Sequence, residues 1–215
     1  MIKAASLERP GVIALSVIMI SIPERERPFL KLRSKLRQQI KACVAVHPTL
    51  GDVEIVEIVT DKYVDGGLSI GEKRQMGLDR AIGLYVCWLD DDDDIAPDYI
   101  ETMLRGTYDN PDVFTFNNLS RFDNFWTVVT MRVENTVDEQ VKPGFINRRP
   151  YHVCAWRSEL AKQVRFDFVN KDEDTGYISK LIPLCVTHNH SNNIIHEYNR
   201  VEKSYAIDAY EKDSR

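Results

Sequence analysis

Residues 12–22 form the longest apolar stretch of the chain, β-branched and broken only by Ser16 and Ser21, which is the pattern of a strand covered on both faces. Pro23 ends it. Over residues 29–46 the pattern changes to Leu32, Leu36, Ile40 and Val44, the stripe of an amphipathic helix with a basic outer surface. Residues 53–60 predict a second strand, residues 84–89 a third, and residues 113–117 and 127–133 two more. Strands alternating with helices in the first half predict an α/β fold with a mostly parallel central sheet and helices on its faces. The second half is mixed, with weaker periodicity. No internal repeat or low-complexity linker divides the chain, so one compact domain is expected.

Ser69-Ile-Gly-Glu72 has the Ser-x-x-Glu spacing of a capping box, so a helix starts there and runs to about Ile82, with Gly83 as its stop. Its buried stripe is expected to be Leu78, Ala81 and Ile82. Arg74 lies one turn before Leu78 on the same face, where a guanidinium needs a partner. Two readings stand open: the stem covers the core edge and the head reaches water, or the arginine serves a site.

Composition narrows the classes of function. The 215 residues carry 28 Lys and Arg against 33 Asp and Glu, a net charge of −5, which argues against a nonspecific polyanion binder. The 43% hydrophobic share suits a folded core. Four cysteines occur without a Cys-x-x-Cys pair, so buried free thiols are expected rather than a zinc knuckle or redox dithiol. Residues 12–22 fall short of the roughly 20 needed for a membrane span. Glu8, Arg9 and Pro10 precede that stretch, unlike the order of a signal peptide. The expectation is a soluble cytoplasmic protein, free or peripheral at a membrane.

The chemistry concentrates in one place. Residues 84–89 run directly into Asp90-Asp-Asp-Asp-Asp94, at the C-terminal end of an apolar strand, where open α/β sheets place ligands. Two carboxylates about 4 Å apart repel by about 1 kcal/mol in water and more where water is excluded. A divalent cation relieves that repulsion, and hard oxygen ligands suit magnesium, manganese or calcium. In an extended chain, alternation would let Asp90, Asp92 and Asp94 converge on such an ion. An EF-hand fails, because Ile95 stands where its glycine is required, Pro97 lies inside the loop and a strand precedes it. A phosphate loop at residues 66–71 fails too, since Glu72 replaces the lysine.

Ser69-Ile-Gly-Glu-Lys-Arg74, Gly77-Leu78, Ala81-Ile-Gly83, the segment from Tyr85 to Asp93 and Pro97-Asp-Tyr together resemble the nucleotide-sugar half of inverting glycosyltransferases of family 2. Trp156-Arg-Ser-Glu-Leu and Lys171-Asp-Glu-Asp174 are similar to that family's acceptor-side segment and Glu-Asp motif. The resemblance implies a Rossmann-like GT-A fold, with a nucleotide-sugar half over about 12–110, an acceptor half over about 111–200 and a tail at 201–215. It implies that Asp61 binds uracil, that Lys73 and Arg74 reach the nucleotide, and that Asp90, with Asp91 beside it, faces the ribose or sugar. Asp92 would hold manganese or magnesium at the phosphates. Asp174 would be the general base of an inverting displacement. By residue type alone, Asp172, Glu173 and Asp174 equally complement a helix dipole. Asp94 departs from the family pattern.

His188 and His190 share one side of a strand if residues 188–190 are extended, and the resemblance favours His190 as a further metal ligand. Trp156, His152 and Glu173 are candidates for the acceptor pocket. The expected donor is a UDP-sugar. The acceptor is open: a glycan, lipid-linked sugar, protein, small molecule or modified nucleic-acid base. Two rival readings are a nucleotidyltransferase of related fold and a nonenzymatic acidic module binding divalent cations. The first lacks a Gly-rich loop after the first strand, and the second leaves Asp61, Arg74 and Asp174 unexplained.

Overall fold

The structure is a computed structural model that describes residues 8–61, 67–122 and 125–200. The 201–215 tail and Gly66 of the glycine-rich link lie outside the described residues. The first strand, β1 (Ile13–Ser21), is buried from Ala14 to Met19, as its unbroken apolar pattern requires. Helix α1 (Glu26–Val46) follows, seated through Phe29, Leu32, Leu36 and Cys43. Strand β2 (Asp52–Val59) then lies parallel to β1, with Ile18 opposite Val56. Helix α2 (Ile70–Arg80) opens on the capping box, in which the Ser69 hydroxyl accepts from the Glu72 backbone N–H and the Glu72 carboxylate accepts from the Ser69 N–H. It ends at Arg80, two residues early. Ala81 is already extended, and Ile82 is 70% exposed instead of completing the buried stripe.

Strand β3 (Tyr85–Trp88) pairs parallel with β1, so β2-β1-β3 forms the parallel core of the sheet. The short β4 (Asp94–Ile95) and helix α3 (Tyr99–Gly106) come next, followed by the antiparallel pair β5 (Val113–Phe122) and β6 (Phe125–Met131). Strands β7 (Glu139–Lys142) and β8 (Phe145–Arg148) extend that edge. Strand β9 (Ala155–Arg157) inserts between β3 and β5, antiparallel to both, and leads into the one-turn helix α4 (Ser158–Ala161). Helix α5 (Glu173–Leu181) and the long β10 (His188–Arg200) complete the described chain. The sheet order is β2-β1-β3-β9-β5-β6-β8-β7, with β10 on β5 and β4.

Trp88, at the end of β3, meets Phe166 and Tyr177 edge-on at 5.3 and 5.6 Å, and those two rings stack at 3.9 Å. This aromatic cluster anchors α5 beneath the end of β3. Trp156 belongs to the core as well: it is fully buried and its indole N–H donates to the Tyr151 carbonyl at 3.0 Å. The expectation that it lines an acceptor pocket is therefore corrected, because its position on β9 between two strands turns it into the sheet's packing layer.

The end of α3 is equally tight. A Cβ on Gly106 would lie 2.3 Å from two ring carbons of the buried Phe114. Gly106→Ala is expected to cost about 1–3 kcal/mol, read as a lower urea midpoint with an unchanged slope.

Candidate active site

The parallel strands deliver their C-terminal ends to one edge. Ser21 closes β1, Asp61 lies two residues beyond β2, and Asp90 lies two residues beyond β3. The aspartate run does not continue as a strand. The Asp93 N–H donates to the Asp90 carbonyl at 3.2 Å, so residues 90–93 form a turn. Alternation therefore no longer applies, and Asp90, Asp92 and Asp94 do not converge as an extended run would. Each meets its own cation. Asp90 accepts from the Arg74 guanidinium at 3.1 Å, Asp92 pairs with Arg25 at 2.6 Å, and Asp94 pairs with Lys35 at 2.6 Å. Asp91 accepts from the Ser21 hydroxyl and also pairs with Arg25.

The head of Arg74 does not reach water. It is 4% exposed and spans two carboxylates, Asp90 on one side and Glu173 at 3.2 Å on the other. Glu173 is thus committed to an ion pair within the cluster, a different place from the pocket wall expected of it. His152 lies in the same cluster, 4% exposed. Its Nε2 is 3.4 Å from Asp90 and its Nδ1 is 3.4 Å from Asp174. It too is enclosed, and so does not line an open acceptor pocket. Asp174 stands in the first turn of α5, with Oδ1 accepting from the Thr175 N–H at 2.6 Å.

Electrostatics divide the carboxylates into two groups. Burial alone would raise Asp90, but the charge of Arg74 and the His152 imidazole outweigh it and hold Asp90 well below the usual range. Burial likewise opposes, and His152 and Arg74 overcome, the ionisation cost of Asp174, which also lies well below that range. Asp91 goes the other way: burial, only partly offset by Ser21 and Arg25, pushes it up to about 6. Asp92 is raised by burial and by the charge of Asp90.

That raised Asp92 carries the question of a metal. No group of three His, Cys, Asp or Glu side chains among the described residues forms a ready-made ion cage. Magnesium-type sites on phosphate donors need only one or two carboxylates, because the phosphates supply other oxygens. Asp92 fits that requirement: it is a hard oxygen donor whose ionisation is opposed by burial and by the charge of Asp90.

His190 lies elsewhere. On β10 it stands opposite Thr115, whose hydroxyl contacts its Nδ1 at 2.9 Å. The histidine of β10 that meets the aspartate run is His196, six residues further on and roughly 20 Å along the strand at about 3.3 Å per residue. The register of β10 decides this, since it places His196 opposite Ile95. His196 donates from Nε2 to the buried Asp93 at 2.9 Å, while its Nδ1 faces Asn118, which in turn accepts from Ser120. The sequence gives no periodic signal for a pair 103 residues apart. Arg25, just ahead of α1, is one of several basic residues there, and nothing in the sequence singles it out. Asp61 is exposed, and its backbone carbonyl accepts from the Lys73 ammonium at 3.0 Å.

Residues 59–164 match the family described as Glycosyl transferase family 2. The chain carries a glycosyltransferase family 2 domain. A relative in Bacillus subtilis (strain 168), EpsH, whose name assigns it to the glycosyltransferases, is 31% identical over 77 residues. That stretch is 36% of this chain and 22% of EpsH, so the chain matches only about a fifth of that relative's length. Two solved structures of S. aureus TarS 1–349 share the fold. The complex with UDP-GlcNAc has a TM-score of 0.62 at 13% identity, covering 90% of this chain and 60% of TarS. The complex with UDP has a TM-score of 0.59 at 14% identity, covering 86% and 60%. The fold of this family 2 domain is accordingly GT-A, with the aspartate turn at the C-terminal edge of its parallel strands.

Proposed function

We propose that the domain transfers a glycosyl group from a UDP-sugar to an acceptor hydroxyl, by direct displacement with inversion. One observation carries the reading. Asp90, on the donor-side turn, and Asp174, on the acceptor-side helix, reach the same imidazole from elements 84 residues apart in sequence. Asp61 and Lys73, beside each other beyond β2 and at the start of α2, take the base end of the nucleotide. Arg74 and Asp90, with Asp91 behind them, take the ribose and sugar. A divalent cation, manganese or magnesium, held by Asp92 would offset the charge of the departing diphosphate. Asp174 takes the proton of the attacking hydroxyl, and with Glu173 tied to Arg74 it is the one of these two carboxylates left to do so, which suits a one-step inversion. TarS crystallised with UDP-GlcNAc and with UDP supports a uridine donor here. No helix among the described residues is long and apolar enough to cross a membrane, which is compatible with a cytoplasmic enzyme, free or peripheral at a membrane.

The test is a thermal-shift panel of nucleoside diphosphates and nucleotide sugars, with and without manganese or magnesium, on wild type and Asp92→Ala. UDP or a UDP-sugar is expected to raise the melting temperature only with metal, and Asp92→Ala to abolish the shift. At a ligand concentration 100 times Kd, the stabilisation should be about 2.7 kcal/mol. Stabilisation by metal alone, with no nucleotide adding to it, would leave an acidic cation-binding module and remove the transferase.

A further inference from the structure

We propose that His152 is a positioning residue, held as an imidazolium, that ties the donor-side carboxylate Asp90 to the acceptor-side carboxylate Asp174. The proposal rests on the reading of Asp174 as the base. Its two ring nitrogens each face a carboxylate at 3.4 Å, and neither has any other hydrogen-bond partner. A neutral imidazole has one N–H and one lone pair. In either tautomer the lone pair would confront a carboxylate oxygen in a buried place, and only the doubly protonated ring offers an N–H to both. The charges around it agree. Arg74, from α2, is the other cation of the cluster, and Asp90, Glu173 and Asp174 surround the two. The Tyr151 ring covers the imidazole at a centroid distance of 5.0 Å. Burial and Arg74 push His152 down, yet Asp174 and Asp90 bring it above the ordinary value.

Its backbone is anchored to the sheet, not carried on a free loop, because the Trp88 N–H donates to the His152 carbonyl at 3.2 Å. The imidazole is therefore placed by the end of β3, the strand that also leads to Asp90. Asp174 is then fixed through both oxygens, Oδ1 on the Thr175 N–H and Oδ2 toward His152. Its remaining lone pairs are the ones left to meet an acceptor hydroxyl. A donor that draws on Asp90 acts on the same imidazole that orients the base, so occupancy of the donor side is felt at Asp174.

Two-bond ¹H–¹⁵N spectra of the labelled chain read the protonation of each of its five histidine rings directly. The His152 signals are assigned by their loss in His152→Gln or, if that variant does not fold, by replacing the other four histidines one at a time. His152 is expected to be doubly protonated at pH 7 in the wild type. Its midpoint is expected to fall by about one pH unit or more in Asp174→Asn and in Asp90→Asn, each of which removes one charge partner. A neutral ring at pH 7, or a midpoint unmoved by Asp174→Asn, would overturn the bridge. A second arm measures UDP-GlcNAc hydrolysis with magnesium. His152→Gln should lower kcat by tenfold or more with KM within about threefold, and should bring an acid limb into the range above pH 5. A raised KM with unchanged kcat would make His152 a binding residue and overturn the positioning role. If the wild type does not turn over UDP-GlcNAc, that choice of donor fails, while the spectra alone decide whether His152 bridges the two carboxylates.

Discussion

Replacing Asp174 with asparagine is expected to lower turnover of the sugar donor by about 10²–10⁴-fold while leaving UDP affinity within a few-fold of wild type. The substitution keeps the shape and the contact with the Thr175 N–H but removes the charge that would take the proton. Asp174 lies on α5, across His152 from the donor-side turn, so the nucleotide site has no direct dependence on it. Burial opposes its ionisation, and the adjacent His152 and Arg74 reverse that and hold it well below the usual carboxylate range. Such a group is a weak base, but it is fully ionised throughout the neutral range. Proton transfer is demanded only once the hydroxyl has begun to bond to the anomeric carbon and has become acidic, so availability outweighs strength. The sign for stability follows. A carboxylate with a depressed folded-state value stabilises the fold above its unfolded value near 3.9 and loses that contribution as pH falls through the folded value. Asp174→Asn should therefore be less stable than wild type at pH 7, with the difference closing in strong acid. Wild-type-like donor turnover in this variant would remove Asp174 from the mechanism.

The parts of the fold legible in the sequence are those where one pattern governs a whole element. Strand β1 is apolar because both its faces are covered, and α2 announces itself through Ser69 and Glu72, whose reciprocal hydrogen bonds are local. The second half was harder for a physical reason. Strand β7 is exposed at every position, and β10 begins His-Asn-His-Ser-Asn-Asn, so neither carries the alternation that betrays a half-buried strand. Site residues divide the same way. Asp90 and Arg74 stand out because charge sits at the end of an apolar strand or on a buried stripe, whereas Asp174 is singled out only by the family resemblance. Asp90, Asp92 and Asp94 do not converge, because a turn replaces the extended chain that alternation assumes. The resemblance favours His190 over His188, but the residue brought to the aspartate run is His196, and that depends on the register of a strand pairing, a long-range property. Trp156 illustrates the converse: an aromatic beside a motif was simply core.

Replacing Arg74 with methionine is the most destabilising change expected at the site, by about 3–5 kcal/mol, because it strands buried carboxylates that no other cation serves as well. Methionine preserves the length and apolar stem, so the loss is of charge and hydrogen bonding rather than volume. Asp90, which Arg74 and His152 together hold down, should rise, and Glu173, already raised by burial, should rise further. Arg74→Lys is expected to recover only part of the loss. A single ammonium cannot reproduce a planar fork that reaches Asp90 with one nitrogen and Glu173 with another. The check is urea denaturation at pH 7, read as a midpoint shift at constant slope, alongside the double variant Arg74→Met with Glu173→Gln. The pair is expected to be more stable than the sum of the single changes predicts, by about 1 kcal/mol or more, since the two side chains are in direct contact. That recovery would mean that most of the cost lies in leaving Glu173 buried and unpaired, not in the attraction that Arg74 supplied. Strict additivity would mean the opposite, that Arg74 and Glu173 act independently and the guanidinium is held chiefly by Asp90. In that case the ion pair bridging donor turn and acceptor helix would contribute little, and the coupling between the two halves of the site would fall to His152 alone.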